Sequence, residues 1–307
     1  MIPAARQPVV NVDSPTEQRN PRTLDIDRVS TVDVLRLIND EDRTVPDAVA
    51  AALPELAAAV DIAVETLRGG GRVHYVGAGT SGRLAVLDAA ELVPTYNVPP
   101  DWFVAHHAGG SSALVRSIED VEDDDMAGRA VIERSATGKD FVVGVAASGR
   151  TPYVVGALAE ARRIGARTAL LAANPFITPQ VDVRVLLDTG PEAIAGSTRM
   201  KAGTAQKMAL TAFSTAVMVR LGRTYSNLMV SVVATNAKLR GRTVRILQEA
   251  TGLGDRECAN ALASSDGDVK TALVCLLSGA DVTRANTALA AADGHVRGAL
   301  AQLGVTE

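Results

Sequence analysis

Five short runs of apolar and β-branched residues, separated by helical patterns, constrain the fold of this chain more than any other feature. The helical patterns between the runs, such as residues 82–93 and 152–165, place apolar residues at the spacing of one helix face. Strands that alternate with helices predict an α/β fold, a doubly wound parallel sheet flanked by helices. Sheets of this type bind ligands at the carboxyl ends of their strands. The runs cover residues 72–78, 102–108, 140–147, 168–174 and 183–189.

Helical patterns also precede the first predicted strand. Residues 26–45 predict a helix followed by a turn. Residues 46–68 predict a long Ala-rich helix, with Pro46 in its first turn and three glycines after its end. Before these helices, the Pro-, Asn- and Arg-containing residues 1–24 predict a flexible arm.

The C-terminal third has no strand pattern after residue 196. Residues 198–221 and 226–250 predict long helices, and residues 255–303 predict three or four short helices punctuated by glycines. We therefore expect an α/β domain over residues 25–252 and a small C-terminal helical module over residues 253–307.

Composition excludes several functional classes. The formal net charge of -4 argues against nucleic-acid binding, which needs a basic face. No apolar run is long enough for a membrane span, and the N-terminus lacks the apolar segment of a secretory signal. The two cysteines, Cys258 and Cys275, have neither zinc-site spacing nor nearby histidine pairs. We expect a cytoplasmic protein without a disulfide, a metal or a cofactor.

The first candidate ligand loop is the segment Gly77-Ala78-Gly79-Thr80-Ser81-Gly82-Arg83, between a predicted strand and a helix. Its glycines allow the backbone to approach a ligand, and the helix N-terminus offers free N–H groups to an anion. Thr80 and Ser81 add hydroxyl donors. The loop also fits the dinucleotide pattern G-x-G-x-x-G, but the acid that should follow the second strand is missing, because Asp101 precedes that strand. The loop therefore favours phosphate as its ligand.

Two further loops have the same character. Ser148, Gly149 and Thr151 follow the third strand and precede a helix that starts at Pro152, so they predict a second oxyanion cradle. Residues 190–204 lead from the last strand into a long helix; Ser197 and Thr198 there could cap the helix, while Arg199 and Lys201 could face an anion.

Together these loops resemble one family. The motifs GAGTSGR, AASGRTPY and STRMKAGTAQK resemble the sugar-isomerase (SIS) fold, and more narrowly the N-acetylmuramic acid 6-phosphate etherases. LDAAELVPTY and YSNLMVSVVATNAKLRGR also match, and the resemblance covers roughly residues 24–303. It implies a metal-independent homodimer, with the site at the subunit boundary, that converts its substrate to N-acetylglucosamine 6-phosphate and D-lactate.

The resemblance also implies the site residues. Glu91 matches the acid/base glutamate of the family, and Glu122 in SIEDVEDDD matches its second essential glutamate. Elimination of the lactyl ether followed by water addition needs an acid and a base but no metal. The phosphate binders expected here are Thr80, Ser81, Ser148, Gly149, Thr151, Ser197 and Lys201.

Three alternatives stay open. An aldose–ketose isomerase on this fold would need no acid at the ether oxygen, and a sugar-phosphate-sensing regulator would need no chemistry. The helical module could instead serve as a partner-binding unit. His106 and His107 are further candidate bases, but adjacent residues on a strand face opposite sides, so at most one of them reaches the site.

Overall fold

The computed structural model describes residues 14–116, 118–176, 179–234 and 237–305. Five parallel strands form its central sheet, in the order β2-β1-β3-β4-β5. The expected doubly wound sheet is therefore confirmed. Each predicted run matches one strand, although β4 begins one residue before its run: β1 (Val73–Gly77), β2 (Phe103–His107), β3 (Phe141–Val145), β4 (Arg167–Ala172) and β5 (Val183–Leu186).

Helices cover both faces of the sheet and bury two separate apolar cores. On one face the strands pack against α2, α3, α4 and α8, and on the other against α6 and α7. Among the described residues, none of the helices is both long and apolar enough to cross a membrane. The helices of this body are α1 (Thr31–Asp42), α2 (Val45–Ala51), α3 (Leu53–Arg68), α4 (Gly79–Tyr96), α5 (Ser112–Val115), α6 (Asp125–Ser135), α7 (Pro152–Arg163) and α8 (Lys201–Arg220).

The C-terminal module has a core of its own, built by α9 to α13 and a short hairpin. The hairpin pairs β6 (Thr224–Tyr225) with β7 (Leu228–Met229) in antiparallel register, so the expectation that no strand follows residue 196 is wrong. Helix α9 consequently begins at residue 237 rather than 226. The remaining helices are α9 (Ala237–Thr251), α10 (Asp255–Ser264), α11 (Val269–Ser278), α12 (Val282–Ala291) and α13 (Val296–Gln302).

Part of the expected N-terminal arm is packed against the body. Residues 1–13 lie outside the described residues, but residues 14–24 contain two 3-10 helices. Asn20 Nδ2 donates to the carbonyl of Pro191 at 3.3 Å, and Thr23 Oγ1 donates to the carbonyl of Ala193 at 2.8 Å. The Cβ-free Gly196 leaves room for the Glu17 carboxylate, which an added Cβ would meet at 2.8 Å. This segment covers the third candidate loop.

Candidate active site

The first two candidate loops meet where the strand order reverses. β1 pairs with β3, and Gly77 and Val145 are directly opposite at their carboxyl ends. The chain leaves β1 toward β2 through α4, but leaves β3 toward β4 through α7 on the opposite face. The two loops therefore flank one crevice, at the position where doubly wound sheets hold ligands.

Close packing between two glycines holds the first loop against the end of β1. A Cβ on Gly77 would lie 2.8 Å from the Gly82 Cα, and one on Gly82 would lie 2.6 Å from the Gly77 carbonyl oxygen. Gly79 has a φ of 53°, a left-handed conformation that glycine adopts without strain. No side chain caps the N-terminus of α4, so its first N–H groups and the positive end of the helix dipole face the crevice.

Ser81 is tied to α8 rather than free. Its Oγ donates to Gln206 Oε1 at 2.8 Å, and both side chains are buried. The amide nitrogen of Gln206 is buried and has no hydrogen-bond partner among the described residues. A hydroxyl that donates to Gln206 has no proton left for an anion. If the Gln206 amide turns so that its NH₂ donates to Ser81, the serine proton becomes available to a phosphoryl oxygen.

The second loop is equally well ordered. Gly149 has a φ of 65° and its N–H bonds to the Ala146 carbonyl at 3.0 Å. The Ser148 Oγ accepts from the Arg150 N–H at 3.2 Å, which leaves its own proton available to a ligand. Thr151 is the N-cap residue of α7, but its hydroxyl makes no capping bond. Ser148 and Thr151 thus present two hydroxyl donors beside a helix N-terminus.

The helix that follows the third loop is capped differently from what the sequence indicates. Met200, rather than Ser197 or Thr198, is the N-cap residue of α8, and the Met200 side chain makes no capping hydrogen bond. Instead the buried Glu192 carboxylate accepts from the N–H groups of Lys201 and Ala202 at 2.8 and 2.9 Å. Burial raises the pKa of Glu192, against the opposing effect of these two hydrogen bonds. An internal carboxylate therefore occupies this helix N-terminus.

Lys201 lies in the same buried network. Its Nζ donates to Glu41 Oε2 at 2.8 Å, and the two side chains are only 1% and 3% exposed. Arg22 contacts the same carboxylate at 2.8 Å through its Nη2. The hydrogen bond from Arg22 lowers the pKa of Glu41 to about 2, and Lys201 adds to this lowering. The ammonium group of Lys201 thus points to α1, while Ser197 is half-buried nearby.

Glu122 lies next to both cradles. Its backbone carbonyl accepts from the Tyr153 N–H at 3.0 Å, which ties it to the start of α7. Its exposed side chain lines a cavity of about 330 Å³ together with Gly79 of the first loop, Arg83 and His107. Arg83 donates to the carbonyls of residues 113 and 114, and His107 Nε2 lies 3.2 Å from the Gly79 carbonyl oxygen.

The two adjacent histidines face opposite sides of the strand, as their spacing predicts. His107 lies at the cavity just described, whereas His106 turns away and stacks on His74, with ring centroids 5.3 Å apart. His106 Nε2 lies 2.9 Å from His74 Nδ1. Burial, followed by the charges of neighbouring groups, lowers the pKa of His106 to about 4.

Glu91 does not reach this crevice within one chain. It is exposed and lies ten residues after Ser81 on α4, a distance of about 15 Å along the helix axis. It lines a separate cavity of about 270 Å³ between α4 and α8, with Asp88 and Lys207. Leu87 and Val93, on the same helix, are 50% and 39% exposed.

Asp88 is a member of this cavity that the sequence alone did not single out. Its carboxylate accepts hydrogen bonds from the hydroxyls of Tyr75 and Ser214 at 2.9 and 3.0 Å. Burial raises the pKa of Asp88 to about 6, against the opposing effect of these bonds. The signal available in the sequence was its position one turn before Glu91 on one helix face.

Comparisons with known proteins agree with this architecture. A family model described as the glucokinase regulatory protein N-terminal SIS domain matches residues 55–162. A curated relative from Thermobifida fusca (strain YX), named N-acetylmuramic acid 6-phosphate etherase, is 63% identical over 273 residues, which cover 88% of this chain and 90% of the relative. A relative of the same name from Pectobacterium atrosepticum is 49% identical over 288 residues, 93% of this chain and 95% of the relative.

Solved structures are more distant. A phosphoheptose isomerase from Francisella tularensis is 16% identical, with a TM-score of 0.48, over 62% of this chain and 98% of that chain. A likeness of this size carries no argument about chemistry.

Proposed function

The chain belongs to the family of N-acetylmuramic acid 6-phosphate etherases, and on this basis we propose that it cleaves the D-lactyl ether of N-acetylmuramic acid 6-phosphate. The products are N-acetylglucosamine 6-phosphate and D-lactate, and the enzyme is a carbon–oxygen lyase. The observation that carries this proposal is the 63% identity to a curated etherase over 88% of the chain.

Phosphate binding is assigned to the crevice between β1 and β3. Thr80 and Ser81 of the first loop and Ser148, Gly149 and Thr151 of the second surround it, and the N-termini of α4 and α7 add partial positive charge. Each charge-assisted hydrogen bond to the phosphoryl group contributes about 1.5–3 kcal/mol. This remote binding energy holds the open-chain sugar in a reactive position.

The two candidate residues of the third loop are assigned different roles. Ser197 stays in the proposed set of phosphate binders. Lys201 acts through Glu41, with which it forms a buried ion pair, and so fixes the start of α8 beneath the first loop. Its contribution to the site is therefore positional.

The reaction follows from the acidity of the sugar C2 hydrogen. Once the ring opens to an aldehyde at C1, a base removes the C2 proton, the C2–C3 double bond forms, and the C3–O bond to lactate breaks. Lactate is a poor leaving group unless an acid protonates the ether oxygen. Glu91 is that acid, and as a carboxylate it then takes a proton from the water that adds to C3. The base that took the C2 proton returns a proton to C2 once the water has added at C3. Glu122, beside the cradles, is the second acid/base group.

Glu91 must come from a second copy of the chain. Within one subunit it lies about 15 Å along α4 from Ser81, whereas Glu122 shares a cavity with the first loop. The exposed Leu87, one turn before Glu91 on the same helix face, provides apolar surface for a partner. We therefore propose a homodimer in which Glu91 of one subunit completes the crevice of the other.

The test of function incubates the purified protein with N-acetylmuramic acid 6-phosphate and measures D-lactate. We expect turnover in the wild type, a loss of roughly 100-fold or more in Glu91→Gln, and normal turnover in Glu55→Gln, an exposed glutamate on α3. Absence of lactate with interconversion of aldose and ketose phosphates would support the isomerase alternative. Binding without any turnover would support the regulator.

Subunit complementation tests the shared site. Glu91→Gln and Glu122→Gln are each expected to be inactive alone. Because a mixed dimer then carries one intact site, random mixing should restore roughly a quarter of the wild-type rate. If mixing restores no activity, Glu91 and Glu122 act within one subunit.

A further inference from the structure

A third cavity lies at the opposite edge of the sheet, between the α/β body and the C-terminal module. It encloses about 580 Å³. The body contributes Arg68 at the end of α3, Trp102 just before β2, and Arg223 just after α8; the module contributes Lys270 and His295. The five residues of β1 separate it from the crevice, a distance of about 16 Å.

The cavity carries positive charge that the chain does not neutralise. Its donors are bonded to backbone carbonyls: Arg68 to Arg220 at 3.2 Å, Arg223 to Asn97 at 3.4 Å and Lys270 to Gly294 at 2.9 Å. The ion pairs found among the described residues do not include these three cations. Asp293 is the carboxylate that lines the cavity, so positive groups outnumber negative ones.

The pKa shifts of the lining groups agree with this charge imbalance. Burial, and then the charge of Arg223, lowers the pKa of Lys270 to about 8, although Asp268 opposes the change. Burial lowers the pKa of Arg223 as well. Burial and the charges of Arg68, Lys270 and Arg220 lower the pKa of His295, with Asp293 opposing. An anion inside the cavity would relieve this repulsion.

The cavity is also preformed. The guanidinium carbon of Arg223 lies 5.0 Å from the centre of the Trp102 ring, an arrangement that fixes its position. The His295 ring packs on Gly222, where an added Cβ would meet the ring at 2.8 Å. Body and module therefore meet at van der Waals distance, and a ligand would find its donors already in place.

We propose that this basic cavity binds the dianionic phosphoryl group of a phosphate monoester or of free phosphate, and so joins the module to the body at a site separate from the crevice. The Arg68 and Arg223 guanidinium groups and the Lys270 ammonium group are donors without acceptor capacity, which suits an acceptor-only group. A ligand held by both units stabilises their contact by mass action.

The single tryptophan of the chain makes the site directly observable, since Trp102 lines the cavity. The full-length protein is titrated with inorganic phosphate and, separately, with N-acetylglucosamine 6-phosphate, at ionic strength matched with chloride, while Trp102 fluorescence is followed. We expect a saturable change that Lys270→Gln and Arg68→Gln each weaken roughly tenfold or more. Arg284→Gln, the same charge change on the exposed surface of α12, should bind normally.

Further arms separate the sources and the sites. Equal affinity for both probes identifies the phosphoryl group alone as the ligand, and tighter binding of the sugar phosphate assigns a monoester; either result supports the site. Ser148→Ala, in the crevice, should leave the fluorescence titration unchanged. Because Arg68 is exposed, its variant keeps the test valid even if Lys270→Gln unfolds. No saturable change up to about 10 mM of either probe, an equal change with chloride, or loss of the signal in Ser148→Ala would overturn the proposal.

Discussion

Replacing Lys201 by Met tests whether this lysine holds the protein together or holds substrate. Sequence motif and charge favour a substrate contact, whereas the structure pairs the Lys201 ammonium with Glu41 at 2.8 Å, with both side chains almost fully buried. Met keeps much of the side-chain length and volume but removes the charge. The Glu41 carboxylate then keeps only Arg22 as a charged partner, and that arginine is 60% exposed.

The magnitude follows from the network. A pKa that falls from 4.5 to about 2 corresponds to about 3 kcal/mol for all partners of Glu41 together. The Arg22 share is screened by water, while removing one partner of a buried pair costs about 3–5 kcal/mol. Because Arg22 remains, we expect a loss of about 2–3 kcal/mol, or roughly 5 °C in melting temperature. The lowered pKa means that this stabilisation is complete above about pH 4.5 and is lost as the pH falls toward 2.

Urea unfolding and steady-state kinetics together decide the question. Lys201→Met should lose stability, while KM at a temperature where the variant is folded should change less than threefold, an effect of about 0.7 kcal/mol. Lys139→Met, at an exposed position, is the matched control. The reasoning is refuted if Lys201→Met unfolds within about 0.5 kcal/mol of wild type but raises KM roughly tenfold.

Three more predictions concern other parts of the fold. Gly128→Ala should lower the free energy of unfolding in urea by roughly 1–3 kcal/mol, because its Cβ would lie 1.9 Å from the Tyr153 carbonyl oxygen between α6 and α7. Gly241→Ala should cost none, since an added Cβ there meets nothing within 4 Å. Equal stability of the two variants would contradict this. Burial lowers the pKa of His106 to about 4, so the unfolded chain binds more protons and the free energy of unfolding should drop by roughly 2–3 kcal/mol between pH 6.5 and 4; His106→Leu should flatten that dependence, and an unchanged slope would count against it. Gln206→Met should raise KM roughly tenfold with kcat nearly unchanged, because Met has no NH₂ that can turn to Ser81 and direct the serine proton at the phosphoryl group. A drop in kcat alone would assign Gln206 to the chemical step instead.

Periodicity was sufficient to predict the central sheet. All five apolar runs became strands within three residues of the expected bounds, because a parallel strand buried on both faces needs a continuous apolar run. The hairpin of β6 and β7 was missed, since two-residue strands have no periodicity to detect. The helix over residues 46–68 appears as two helices, α2 and α3, with a break at Ala52, which the Ala-rich pattern does not reveal.

The candidate site, like the fold, was predictable from the sequence only in part. Glycine and hydroxyl residues after strands predicted two ligand loops at the carboxyl ends of the sheet, and the pairing of β1 with β3 brings these two loops side by side. The partners of the polar side chains were not predictable. Lys201 with Glu41, Ser81 with Gln206, and Asp88 with Tyr75 are separated by 160, 125 and 13 residues.

The sequence by itself determined the fold class and, through resemblance, the family, and it predicted a ligand crevice at the carboxyl ends of the strands. These depend on local patterns and on motifs that each lie within a short segment. Only the tertiary structure decided which charged side chains form ion pairs or hydrogen bonds inside the protein and which remain available to a ligand. Glu192 and Lys201 form internal contacts, whereas Arg68, Arg223 and Lys270 line one cavity and take part in none of the ion pairs among the described residues. The physical reason is that a charge's role depends on its neighbours in space, and the chain brings those together only when the body and the module pack.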